Sequence, residues 1–314
     1  LLHQQTYYLA VFLFNIPICM SASVSPLAIL VLITNTIIWG LSWTAFKSLR
    51  AYGMHPVWAT AAIFAGCTVL LLLYRPKILR EVKGHPELIL VAIAAGMTNT
   101  AFNSAVAFGD VVRVILLFYL MPVWAIVLAR IVLHEPITVR ALARIVLGLS
   151  GAMIVLHQPG MGLPLPASWV DWVALAGGMA FALNNIMLRR LQGVSDGARA
   201  ITMLGGGGLW ACLLGIVLSS ASTVAWPHTV DMAALPVLAA WVVLFLIANL
   251  CLQYSVARLP ANVTAVVMLT EILIASVSAW MFGSAQLRAQ DLIGGLLIIS
   301  APWLIRDKAR QVSV

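Results

Sequence analysis

Glu271 is the residue with the most chemistry to explain. It sits mid-way along NVTAVVMLTEILIASVSAWMFG, from Asn262 to Gly283, and is the only acid well inside an apolar run. If that run crosses a bilayer, a carboxylate at its centre costs about 2.5 kcal/mol or more, so its default reading is functional. Three roles fit. It could bind a substrate ammonium, take up a proton, or accept bonds from a neighbouring helix as a neutral acid. The residue type and its position leave all three open.

Other polar and aromatic residues recur at helical spacing. Asn35, Trp39 and Trp43 are separated by four residues each, which places them on one helix face. Such a stripe is wasted on lipid at mid-depth and suits an amphiphilic ligand. Asn99 and Asn103 repeat the spacing, as do Asn249 and Gln253, and Asn184 and Asn185 stand side by side. Buried amides need partners, and the bland reading is interhelical bonding worth about 1 kcal/mol each. Their number favours a wet central cavity instead. Tyr119 lies one turn before Pro122, which can kink its helix and free a carbonyl. The residues expected to bind substrate are therefore Asn35, Trp39, Trp43, Asn99, Asn103, Tyr119, Asn185, Asn249, Gln253 and Glu271. Gly205 to Gly208 reads as a packing surface, and Glu135 and Thr138 around Pro136 read as helix capping.

The elements that must position these residues follow from composition. The chain is 62% hydrophobic and 9% charged, against about 25% charged in a soluble protein. So much apolar surface requires lipid as solvent, where only helices and closed barrels satisfy the backbone. The runs do not alternate, so they are helices. Ten spans are expected, at 26–46, 56–74, 87–108, 112–133, 138–156, 169–189, 199–220, 233–256, 261–283 and 288–305. The net charge of +8 marks cytoplasmic loops rather than nucleic-acid binding. With the first span leaving the cytoplasm, twelve Lys and Arg fall inside, against Lys47, Arg50, Arg113 and Arg288 outside. Both termini are thus expected in the cytoplasm. Trp169, Trp172, Trp226 and Trp280 read as anchors at the outer interface, and Ser168 with Asp171 as a helix-capping pair. The four cysteines form no CxxC pair, and no His cluster or phosphate loop accompanies them, so no metal or cofactor is expected.

WGLSWTAFKSL (Trp39 to Leu49) aligns with FALNNIMLRRL (Phe181 to Leu191), and the segments around Pro122 and Glu271 align at a similar offset. Each unit holds five spans, an odd number, so the second copy enters from the opposite side. Inverted repeats of this kind pair about an axis in the membrane plane, with a substrate site near the midplane. The expected fold is an all-α integral membrane protein of ten transmembrane helices, two inverted five-helix repeats around a central cavity. Its parts are an extension at 1–24, repeats at 25–157 and 158–306, and a cytoplasmic tail at 307–314. Residues 1–20 make a poor signal peptide, and Met20-Ser21-Ala22 looks like a natural start.

IIWGLSWTAFKSL resembles the first-helix signature of the drug/metabolite transporter superfamily, EamA type. YLMPVWAIVLARIVLHEPIT resembles that family's fourth-helix pattern, and TEILIASVSAWMFGSAQL its ninth-helix equivalent. Within the family the chain looks most like the YddG-type exporters of aromatic amino acids. There are departures. Ala61 to Phe64 stand where the family often has Arg, His134 stands for the Gly of a Gly-Glu ending, and Ile272 for a second Pro. The resemblance implies a bacterial inner-membrane secondary transporter, an exporter of aromatic or large neutral amino acids, and not an enzyme. Its partners would be that small-molecule substrate and the lipid bilayer, with a monomer favoured. A multidrug exporter of lipophilic cations would use the same residues. An intramembrane enzyme would need a convergent nucleophile, base or metal set that the spans lack.

Overall fold

The computed structural model describes residues 25–108, 111–157, 166–227, 230–282 and 288–301, excepting the side chains at 103, 106–107 and 111–112. Residues 1–20 and the tail at 307–314 lie outside the described residues. The described elements are helical, with no strand among them. In chain order they are α1 (Pro26–Ala51), α2 (Pro56–Tyr74), the short α3 (Ile78–Lys83), α4 (Leu88–Phe108), α5 (Val111–Phe118), α6 (Met121–Val132), α7 (Val139–Leu156), α8 (Trp169–Arg190), α9 (Asp196–Ser220), α10 (Leu235–Val256), α11 (Ala261–Met268), α12 (Thr270–Met281) and α13 (Ala289–Ser300).

Local chemistry sets the starts. Pro26 and Pro56 open α1 and α2, where a missing N–H costs nothing. Ser25, Thr138 and Ser195 each accept a first-turn backbone N–H of α1, α7 and α9. Ser168 and Asp171 form the reciprocal capping box of α8 expected from their spacing. Asp171 also holds Arg113 at 3.0 Å, tying α8 to the start of the fourth span.

Eight segments are long and apolar enough to cross a membrane. Two of these are composite, α5 with α6 and α11 with α12. Leu88–Phe102 and Ala289–Ser300 are shorter apolar helices. Ten full spans were expected; the tenth, drawn to residue 305, runs beyond the described residues. The outer surface is apolar, with Leu73 75%, Ile131 65%, Val146 64% and Leu296 70% exposed. Residues of this kind on the outside suit lipid and are excluded from a water-facing surface.

The most extensive helix contacts all join a helix before residue 157 to one after 168. The α4–α8 contact is answered by α1–α10, and packing of α5 and α6 on α8 is answered by that of α11 and α12 on α1. Helices α2 and α9, α6 and α11, and α7 and α13 also pack against each other. The two halves are interleaved, so neither has a core of its own. Close approach is bought by small residues, as in lipid-embedded helix packing generally. A Cβ on Gly206 of α9 would lie 2.6 Å from both Cα and O of Ala92 in α4.

Candidate functional site

The site is organised by two interrupted helices. Pro122, in the first turn of α6, has no N–H, so the Phe118 carbonyl four residues earlier loses its helical donor. The chain bridges the gap with tighter turns, Leu120 N–H to Leu117 O at 3.3 Å and Val123 N–H to Leu120 O at 2.9 Å. Gly178 of α8 sits against the freed carbonyl, where a Cβ would approach its oxygen to 2.4 Å. The second interruption, at Leu269, has no proline. It is closed by Leu269 N–H to Val266 O at 3.1 Å and Ile272 N–H to Leu269 O at 3.1 Å. The Thr270 hydroxyl lies 2.7 Å from the Val267 carbonyl and 3.2 Å from the Thr36 hydroxyl of α1.

Tyr119 is the first residue past α5, and Glu271 the third past Met268, so each interruption delivers one polar group to the same place. The Tyr119 hydroxyl is within hydrogen-bonding reach of the Glu271 carboxyl. Both line a cavity of about 360 Å³, a size usual for small-molecule sites. Its wall is rich in aromatic rings: Trp39, Trp43, Phe46, Phe64, Phe102, Phe118, Phe181 and Phe245. Trp39 meets Phe245 edge-on at 4.7 Å, and Phe102 meets Phe118 at 4.9 Å, geometries favoured by ring quadrupoles. The Trp43 indole donates to the Ser278 hydroxyl at 3.0 Å, and the Lys47 ammonium lies 5.6 Å from its ring centroid. Ser42, Thr60, Thr98, Asn99, Asn184 and Ser276 supply neutral polar groups. Among the described residues lining the cavity, Glu271 is the one acid, and no Lys or Arg joins it.

Of the residues expected at the site, Trp39, Trp43, Asn99, Tyr119 and Glu271 line this cavity. The side chain of Asn103 lies outside the described residues. Asn35 is buried and donates to the Ala248 carbonyl at 2.9 Å, joining α1 to α10. Asn185 faces a separate crevice and points its amide to the Met268 sulfur at 3.8 Å. Its neighbour Asn184 takes the cavity wall instead. Asn249 and Gln253 lie behind the wall and donate to the Met203 sulfur at 3.3 and 3.4 Å. Phe64 of α2, Phe102 of α4, Phe118 of α5 and Phe245 of α10 stand in apolar runs, where their residue type alone did not single them out.

Toward the end carrying the α2–α4 and α8–α9 connections the cavity is followed by contacts between helices. Met121 lines both it and a narrow crevice formed with Asn185, Arg189 and Thr264. Below, Arg189 of α8 meets Glu135 at 2.8 Å and also bonds the Leu259 carbonyl. Glu81, held by Arg75 at 2.7 Å, accepts from the Ser195 hydroxyl. Both contacts join the two halves. Thr138 caps α7 as expected, but Glu135 does not; it is a cross-helix partner. Beside it His134 takes a φ of 57°, in the left-handed region that glycine adopts freely. That is the position where the resembled pattern has Gly. Among the described residues no group of His, Cys, Asp and Glu gathers as a metal site.

These features define a polytopic helical membrane protein with an internal, ligand-sized cavity. Residues 26–157, from α1 through α7, match the EamA-like transporter family. That family is one of transporters, and the match covers less than half of the chain. A solved structure titled "Crystal structure of protein" is similar over 88% of this chain and 94% of its own, with a TM-score of 0.71 and 18% identity. That likeness is one of fold. No curated protein matches the chain.

Proposed function

We propose that this protein is a secondary transporter that exports aromatic or other large neutral amino acids across a bacterial inner membrane by alternating access. The carrying observation is the pairing of Glu271 and Tyr119 in a cavity walled by aromatic rings. An aromatic side chain gains apolar contact there, and an ammonium gains the one acid. The counterpart contacts between halves support ten spans in two inverted repeats, with the interrupted fourth and ninth spans crossing at the site. With both termini in the cytoplasm, the Glu135–Arg189 and Glu81–Ser195 contacts lie at the cytoplasmic end and the cavity lies toward the outside. This arrangement is the outward-facing member of an alternating pair.

Export of lipophilic cations is a second reading, favoured by the cavity's single acidic charge. Counterflow in proteoliposomes, with labelled amino acids and labelled aromatic cations, separates the two. Tryptophan or phenylalanine should drive counterflow and compete with each other. Counterflow of cations that neither amino acid inhibits would establish the second reading. Counterflow of neither class would refute both.

A further inference from the structure

Beneath the cavity wall lies a cluster that the proposed function does not use. Three carboxamides from three turns of two helices converge on one atom, the sulfur of Met203 in α9. Asn184 Nδ2 stands 3.6 Å from it, Asn249 Nδ2 3.3 Å and Gln253 Nε2 3.4 Å. All four residues are buried, and Asn184 and Met203 also line the cavity. The cluster is therefore one side chain away from the cavity space.

A thioether is a weak acceptor. Gln253 Nε2 also reaches the Asn249 amide oxygen at 3.4 Å, but the Asn184 and Asn249 donors aimed at the sulfur are poorly satisfied, and in a low-dielectric site that is costly. The arrangement fits an oxygen acceptor far better than sulfur. Methionine is unbranched, with three rotatable side-chain bonds, so its sulfur can leave that point without the backbone moving. The amide oxygens of Asn184 and Gln253 are also buried without a partner.

The charge behind the cluster selects the sign of the ligand. Arg199 is fully buried, donating to the Leu188 carbonyl at 2.7 Å and to the Gln253 carbonyl at 3.3 Å. Asp196 binds it, but Arg258 also lies 4.0 Å from the same acid. Two guanidinium groups thus share one carboxylate, leaving a net positive charge under the amides.

We propose that Asn184, Asn249 and Gln253 form a carboxylate subsite, into which a substrate carboxylate moves when the Met203 side chain swings aside. It rests on the reading of the cavity as an aromatic amino-acid site and completes it. Glu271 and Tyr119 take the ammonium, the rings take the side chain, and the amides take the carboxylate. No covalent step is involved.

The test is equilibrium binding to the purified protein of tryptophan, tryptamine and indole-3-propionate, which carry both charges, the ammonium alone and the carboxylate alone. Asn184→Leu should raise the ratio of tryptophan to tryptamine dissociation constants by about tenfold, the value of a hydrogen bond to a charged group. Indole-3-propionate should weaken with tryptophan. Unchanged tryptamine binding shows that the variant is folded. Should Asn184→Leu fail to fold, Met203→Leu keeps the volume and all three amides while removing the sulfur. It should lower the same ratio by roughly threefold, because the carboxylate no longer displaces an acceptor. If wild type binds tryptamine with a dependence on Glu271 but neither variant moves the ratio, the subsite is wrong and the amino-acid cavity stands as a cation site. If wild type binds none of the three ligands, the cavity reading fails and the subsite with it.

Discussion

Glu271→Gln is the substitution that best separates the roles open to this acid. The carboxamide has nearly the shape of the carboxyl group and can still accept from the Tyr119 hydroxyl, its partner across the two helix interruptions. Folding should therefore be little affected. What is lost is a charge in a cavity whose other lining residues are neutral. Removing one member of a desolvated, hydrogen-bonded charge pair costs about 2–5 kcal/mol. Taking the low end because the cavity is open to water, a loss of about 2 kcal/mol corresponds to roughly 30-fold in affinity. Equilibrium binding of labelled tryptamine should show that loss, while indole, which has no ammonium, should change by less than about twofold. Proteoliposome counterflow with and without a pH gradient completes the assay. Loss of the gradient dependence with counterflow retained would mark Glu271 as a proton carrier. Unchanged affinity, counterflow and pH response would refute a functional Glu271 and leave it as a bonding group between α12 and α5.

Four further predictions concern the scaffold. Gly206→Ala should destabilise the detergent-purified protein by about 1–3 kcal/mol in denaturant unfolding, since its Cβ meets Ala92 backbone atoms that must move. Gly205→Ala, whose Cβ would find only Thr68 Cγ2 at 4.0 Å, should be neutral or stabilising by up to about 1 kcal/mol. His134→Gly should raise stability by about 1 kcal/mol by relieving the left-handed backbone at φ 57°. His55, between α1 and α2, accepts the Val57 N–H at 3.3 Å through its unprotonated Nδ1, and burial followed by the nearby Arg50 lowers its pKa below 6.5. The unfolded chain then binds more protons at acid pH, so this contribution is complete above 6.5 and is lost as pH falls through the lower folded value. Thermal unfolding at pH 5 and pH 7.5 should show the loss, and His55→Ala should flatten it.

The sequence by itself determined where most helices lie and which residues deserved attention. Apolar runs near twenty residues have one physical solution in lipid, so the helices could be placed without knowing their neighbours. Glu271 stood out because a carboxylate is expensive there, and Trp39 and Trp43 because their spacing puts both on one face. Pro122 forecast an interrupted helix because a missing N–H acts locally. The tertiary structure alone decided which faces turn inward. Asn184 reaches the cavity while Asn185 does not, although successive residues differ only by about 100° of rotation. That rotation is set by packing between the interleaved halves. Glu135 looked like a capping residue until α8 brought Arg189 to it. The rings of Phe64, Phe102, Phe118 and Phe245 were invisible for a different reason. In water, burial sorts apolar residues from polar ones, but lipid is as apolar as a protein core. A phenylalanine facing lipid and one facing the cavity therefore carry the same sequence signal, and only the assembled bundle distinguishes them.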